Sequence, residues 1–365
     1  MHLFGYLTCL SVVFAAPLLQ VEQGATVIPG QYIVKLKNDE AAISATAITA
    51  LKQTLSTAPK FEYSLSGFHG FAGALSATEL ARFLASKHVE YVQPDVRMHA
   101  YGLVYQNPAT WGLSRVSNIL PLNSRYVFDE SAGEGTCAYV IDTGIYVDHP
   151  DFQGRATWLA NFSEEDSNED GEGHGTHIAG TIGSLTYGVA KKTQLYAVKV
   201  LDSIGSGTTA GIIAGIEFVA KDAATRNCPK GAVANMSLGG RRNAATNQAV
   251  AAAVASGVFF AVAAGNDGFD VKYTSPASEP TVCTVGATAS DDSMPSWSNY
   301  GSLVDVLAPG VNITSLDNFG GTIEHEGTSM ATPHVTALGL KGVVSDVKSG
   351  TVNTLLNNGA FPIVR

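Results

Sequence analysis

From Thr136 onward, short apolar runs alternate with longer stretches of helical spacing. The runs are residues 138–141 (AYVI), 194–200, 232–236 and 258–263. Between them, residues 175–183, 208–226 and 246–256 are helix-compatible. Strands that are apolar on both faces must be covered on both. The alternation therefore predicts an α/β domain, a parallel sheet with helices on either side. Sites in such sheets lie at the carboxyl ends of the strands.

Upstream the pattern is different. Residues 31–37 alternate like a strand, residues 40–55 are Ala-rich and helix-compatible, and residues 61–75 read as two short strands broken at Gly67 and at Gly70-Phe71. Ser76-Ala77-Thr78-Glu79 has the spacing of a capping box and opens a helix, and residues 91–94 form a last strand. The order βαββαβ predicts a small α+β ferredoxin-like sandwich. It carries no Ser/His/Asp constellation. Residues 98–111 read as an exposed linker.

The apolar run from Leu7 to Ala16 is too short to span a bilayer and reads as the core of a signal peptide cut after Ala15. No later segment is long and apolar enough for a membrane anchor. A folded, chemically empty unit behind a signal peptide suggests a pro-segment. The expected organisation is a signal peptide over 1–15, a pro-segment over 16–101 with its folded core at about 30–100, and the main domain over 102–365. The chain would be secreted to the extracellular space. With 365 residues, 45% of them hydrophobic, it can fill one large core and a small second one. A net charge of −10 argues against nucleic acid and anionic membranes as partners. Removing Cys9 with the signal leaves Cys137, Cys228 and Cys283, an odd number that allows one bridge and one leftover thiol.

Three stretches carry chemistry. Val140-Ile141-Asp142-Thr143-Gly144 is an apolar strand ending in a carboxylate, which could be a site residue or a turn cap. In Gly173-His174-Gly175-Thr176-His177, His174 sits at a helix start between two glycines. The two histidines could be metal ligands at i, i+3, but no zinc-type Glu lies between them and no Cys is near. His177 reads as a buried structural histidine. Gly327-Thr328-Ser329-Met330-Ala331-Thr332-Pro333 places a Ser between small residues at a helix start. Asp142, His174 and Ser329 thus stand in the chain order of the subtilisin triad. His174 would take the proton from Ser329, and Asp142 would fix its tautomer. Asn266, after the strand at 258–263, would make the oxyanion hole with the Ser329 backbone N–H.

On these motifs the sequence resembles the subtilisin-type serine proteases, and among them the proteinase K group of secreted fungal enzymes. The likeness runs from about Trp111 to His334 and includes Ser237-Leu238-Gly239-Gly240 and Ser275-Pro276-Ala277, while residues 30–100 resemble the family's inhibitory propeptide. The resemblance implies a seven-stranded parallel subtilisin-like sheet. It also implies a self-processing zymogen that becomes a broad-specificity endopeptidase cutting after aromatic and aliphatic residues. Its partners would be protein and peptide substrates and its own propeptide, and it would be monomeric. No cofactor takes part in catalysis.

The resemblance further implies that Gly205, Ser206 and Gly207 form one substrate-binding edge and Ser237, Leu238 and Gly239 the other, by β-augmentation. Ala263, Ala264 and Gly265 would floor the pocket for the residue before the cut. Cys137 and Cys228 match a family disulfide, and the Pro280 and Val282 carbonyls with the Asp305 carboxylate match a structural calcium site. Asn161 and Asn312 lie in glycosylation sequons, and self-cleavage is expected after Tyr101. Cys283 lacks its expected partner, and only 36 residues follow Ser329. Both point to a deleted stretch of the helix behind the serine. The competing expectation from that deletion is an inert secreted protein that serves as a binding or folding module.

Overall fold

The computed structural model describes residues 15–21, 26–37, 53–97, 102–118, 120–121, 123–335 and 351, and the backbone of 339–341 and 354–356. The expected signal peptide up to Phe14, most of the helix at 40–55, the cleavage at Tyr101 and most of the shortened segment after Val335 fall outside these residues. The chain forms two compact units, residues 1–100 and 101–365.

In the first unit, strands β1 (Val27–Leu36), β2 (Phe61–Leu65), β3 (Phe68–Ala74) and β4 (Val89–Val96) form an antiparallel sheet in the order β2-β3-β1-β4. Helix Ala77–Leu84 precedes β4, and its capping box forms with both bonds, Ser76 and Glu79 each receiving the other's backbone N–H. Val34, Phe71, Phe83, Val89 and Val92 fill the core. One expectation is corrected here. The chain turns at Gly67 (φ +78), whereas Gly70 and Phe71 continue β3. Gly70 marks close packing instead, because a Cβ there would lie 2.1 Å from the Val34 carbonyl oxygen.

The second unit opens with β5 (Leu103–Gln106), antiparallel to β6 (Tyr126–Asp129), where the sequence suggests only a linker. The apolar Leu103, Val104 and Tyr105 favour a strand, and Tyr126–Asp129 supplies the partner. Then come β7 (Cys137–Asp142), β8 (Ala156–Asn161), helix His174–Gly183, β9 (Gln194–Lys199), helix Thr209–Ala223, β10 (Ala232–Met236), β11 (Gly240–Arg241) and helix Ala244–Ala255. After these stand β12 (Phe259–Ala263), β13 (Thr274–Ser275), β14 (Cys283–Thr288), β15 (Val306–Pro309) and the hairpin β16 (Ile313–Leu316) and β17 (Thr322–His325).

Seven strands run parallel in the order β15-β14-β12-β10-β7-β9-β8. Two short strands, β18 (Gly339–Lys341) and β19 (Thr354–Leu356), pair with each other antiparallel, and β19 extends the sheet in parallel beyond β15. Tyr139, Ile141, Val198, Met236, Phe260 and Val262 point into one core layer, while Ala138, Val140, Ile178, Leu195 and Met330 form another. Both sheet faces are therefore covered, as the two-sided apolar strands require. Cys137 and Cys228 are joined by a disulfide, and Cys283 is free. Burial pushes the Cys283 thiol up to about 12, with the Asp305 charge adding to the effect.

Candidate active site

Strands β7, β10 and β12 are neighbours in the sheet, so the residues just beyond their carboxyl ends must meet. Asp142 ends β7, Ser237 comes directly after β10, and Ala264, Gly265 and Asn266 come directly after β12. Asp142 is fully buried, and its Oδ1 accepts from Thr143 N at 2.8 Å and from His174 Nδ1 at 2.7 Å. That bond leaves Nε2 as the exposed edge of the His174 ring.

Burial works against a charged His174. The Asp142 charge and hydrogen bond, with the charges of Glu172 and Asp170, outweigh it and raise the pKa to about 9. His177, three residues on, is buried, with Nε2 against the Ile313 carbonyl at 2.9 Å and its ring packed on His325. Burial lowers its pKa to about 3, so it stays neutral and structural.

Ser329 lies in a one-turn helix, Thr328–Ala331, which passes into a 3-10 turn over Thr332–His334. The turn begins at Gly327 with φ 151, a conformation that suits only glycine, and a Cβ there would come within 3.3 Å of Asn266 Nδ2. Ser329 Oγ donates to the Ser237 carbonyl at 3.0 Å, and Ser237 Oγ returns a bond to the Ser329 carbonyl at 2.8 Å. Among the described residues no hydrogen bond joins Ser329 to His174. Catalytic hydrogen bonds are often long or poorly aligned without substrate and tighten only in the complex.

Asn266 Oδ1 accepts from Thr328 N at 2.8 Å and Thr328 Oγ1 at 2.9 Å, which turns Nδ2 outward. The Ser329 N–H, in the first helical turn, has no intrahelical acceptor. Together they can hold an oxyanion.

Three supporting residues escaped sequence reasoning. Thr328 orients Asn266. Asn299 is buried and holds the loop after β12, donating to the Ala264 carbonyl at 2.8 Å and accepting from Asp267 and Phe269 N–H groups. Asp170 closes the acidic run at 164–170, whose composition predicts a solvated loop, and it departs from that expectation. Glu164, Asp166 and Glu169 are exposed, but Asp170 is buried. Its carboxylate accepts from Thr143 Oγ1, Gly173 N and Thr176 N at 2.7–2.8 Å, and so fixes both the His174 helix start and the turn after Asp142. A carboxylate against a helix N-terminus was the signal available.

The other expected residues take more varied positions. Gly205 (φ +73), Ser206 and Gly207 are exposed on a turn held by Asp202, whose Oδ1 accepts from Ser206 N at 2.8 Å. Ser237 is buried, Leu238 half-buried and Gly239 exposed. Ala263 and Ala264 are buried beside them, and a Cβ at Gly265 would meet Asn299 Nδ2 at 2.4 Å. Asp305 Oδ2 accepts from Thr284 N at 2.8 Å, and partial burial raises its pKa. Asn312 is exposed with φ 50. Asn161 is half-buried in β8, and its Nδ2 donates to the Glu165 and Ser167 carbonyls at 2.8 and 2.9 Å, one of which a glycan would have to displace.

Comparison with known proteins finds relatives for both parts of the chain. Residues 133–355 match the Subtilase family (peptidase S8), and residues 31–101 match Peptidase inhibitor I9. The chain is 47% identical, over a gapped alignment of 393 positions, to the cuticle-degrading protease of Metarhizium anisopliae, covering 99% of this chain and all of that protein. It is 52% identical over 275 residues to proteinase T of Parengyodontium album, covering 70% of this chain and 94% of that protein. A solved structure of a cold-adapted subtilisin-like serine proteinase matches with a TM-score of 0.65 at 42% identity, over 69% of this chain and 99% of that one.

Proposed function

This chain belongs to the subtilase family of serine endopeptidases, preceded by an inhibitor I9 propeptide, and from that premise we propose that Asp142, His174 and Ser329 are its catalytic triad. The observation that carries the reading is the 2.7 Å bond from His174 Nδ1 to the buried Asp142 carboxylate, at strand ends that also deliver Ser237 and Asn266, to which the turn carrying Ser329 is hydrogen-bonded.

In this mechanism His174 Nε2 removes the Ser329 proton as Oγ attacks the scissile carbonyl. The oxyanion is held by the Ser329 N–H and Asn266 Nδ2, and Asp142 stabilises the imidazolium. His174 then gives its proton to the leaving amine, and a water molecule activated by the same base releases the acyl group. Residues 205–207 and 237–239 bind the substrate backbone as added strands, which makes specificity broad. The pocket beside Ala263, Ala264 and Gly265 takes aromatic and aliphatic residues. Pro280, Val282 and Asp305 would hold a calcium that ties their loop to the sheet and takes no part in bond breaking.

The protein is secreted as a zymogen and frees itself by cutting after Tyr101. A fluorophosphonate probe tests the core of the proposal. It should label wild-type protein at Ser329 and leave Ser329→Ala unlabelled. A folded wild-type protein freed of its propeptide that takes no label would instead support the inert reading.

A further inference from the structure

Two arginines near the substrate edge take no part in the proposed catalysis. Of the six arginines between residues 102 and 335, Arg115 pairs with Asp292, Arg155 donates to the Gly183 and Thr193 carbonyls, Arg226 pairs with Asp222, and Arg125 lies over the Tyr105 ring. Arg241 and Arg242 are exposed, and their side chains make no hydrogen bond or ion pair among the described residues. Two neighbouring unpaired guanidinium groups are unusual on a chain of net charge −10.

Their place in the fold separates them. The edge that starts at Ser237, bonded to Ser329, runs on through β11, where Arg241 stands opposite Thr274 of β13. Residues directly opposite in an antiparallel pair share a face, and so do residues two apart on one strand. Arg241 and Thr274 therefore share a face, and Gly239, just before β11, lies against the Thr274 methyl. That face belongs to the pocket for the residue before the cut. A Cβ built on Gly239 would lie 3.6 Å from Thr274 Cγ2, and one on Gly265 would lie 3.7 Å from the same methyl. Both glycine backbones thus lie near the Thr274 methyl, behind closer contacts to the Ser275 carbonyl and to Asn299 Nδ2, and Arg241 stands directly opposite Thr274. An extended arginine spans about 7 Å, about the separation of residues two apart on a strand. Arg242 falls on the opposite face.

We propose that Arg241 gives this pocket a cationic end that binds the carboxylate of a glutamate placed immediately before the scissile bond. Acidic residues are then a substrate class beside the aromatic and aliphatic ones. The inference rests on the protease reading and deepens its specificity.

The test compares kcat/KM on three otherwise identical peptide anilides with Glu, Gln or Phe before the anilide, at low and high salt. In wild-type protein the Glu-to-Gln ratio should be about fivefold higher than in Arg241→Gln, as expected for a solvent-accessible guanidinium–carboxylate pair, and the difference should shrink in 1 M salt. Arg242→Gln should keep the wild-type ratio. Fluorophosphonate labelling of Arg241→Gln confirms that its Ser329 is competent. Cleavage of the Phe peptide with equal ratios in wild type and Arg241→Gln would overturn the subsite and leave the protease standing. Failure of wild type to cleave any peptide or take the label would overturn both.

Discussion

The proposed mechanism needs His174 neutral, and the surroundings of His174 favour its charged form. Asp142 Oδ1 touches the ring, Asp170 and Glu172 add negative charge at the helix start, and burial opposes them. The balance raises the pKa from 6.5 to about 9. A base with that pKa is neutral in only about one molecule in a hundred at pH 7. Since the raised group is protonated below its pKa, kcat/KM should climb about tenfold per pH unit between pH 6 and 8 and level off above 9.

Glu172 provides the perturbation. It is exposed, its Oε2 accepts from the His174 N–H at 2.7 Å, and its charge supports the imidazolium. Glu172→Gln removes that charge while preserving an acceptor, so the midpoint should move down toward 6.5. High salt should move the wild-type midpoint the same way, because Glu172 is screened, while the buried Asp142 is not. The assay is hydrolysis of one peptide anilide across pH 5–11 at fixed ionic strength, with kcat/KM fitted for both proteins. A wild-type midpoint at or below 6.5, or one that Glu172→Gln leaves in place, would refute the reasoning.

Other changes probe the supporting structure. Asn266→Ala should lower kcat about 100- to 1000-fold with KM little changed, the range known for subtilisin's own oxyanion-hole asparagine; steady-state kinetics on the anilide decide it. Asp170→Ala strands the buried donors of Thr143, Gly173 and Thr176. It should cost about 2–3 kcal/mol, read as a Tm lower by about 5–10 °C in calorimetry. Replacing Cys137 and Cys228 together by Ser opens a loop whose ends are 91 residues apart. The chain-entropy estimate gives a loss of about 4–5 kcal/mol, measurable as a lower denaturant midpoint.

Much of the fold was legible because its signals are local. Apolar runs marked β7, β9, β10 and β12 to within a residue or two, and the Ser76–Glu79 spacing gave a helix start that forms with both capping bonds. Strands β5, β8, β14 and β15 went unread. Tyr105, Trp158 and Thr284 find their pairing partners far along the chain, and their own composition is too mixed to announce a strand.

The site divides along the same line. The candidates for the chemistry were legible from residue type: a strand-end aspartate, a histidine between glycines, a serine at a helix start and a lone amide after a strand. How they are held was not. Asp170 reads as one more acid in an acidic run until the fold buries it against the N-terminus of its own helix. Thr328 gains its role only because Asn266, 62 residues earlier in the chain, arrives beside it. Arg241 reads as surface charge until the register of β11 on β13 sets it opposite Thr274. The sequence by itself determined the chemical groups and the strands and helices that carry them, since both depend on neighbours in the chain. Only the tertiary structure decided which carboxylates are buried, which hydrogen bonds aim each group and which faces meet, since these depend on contacts between residues far apart in the chain.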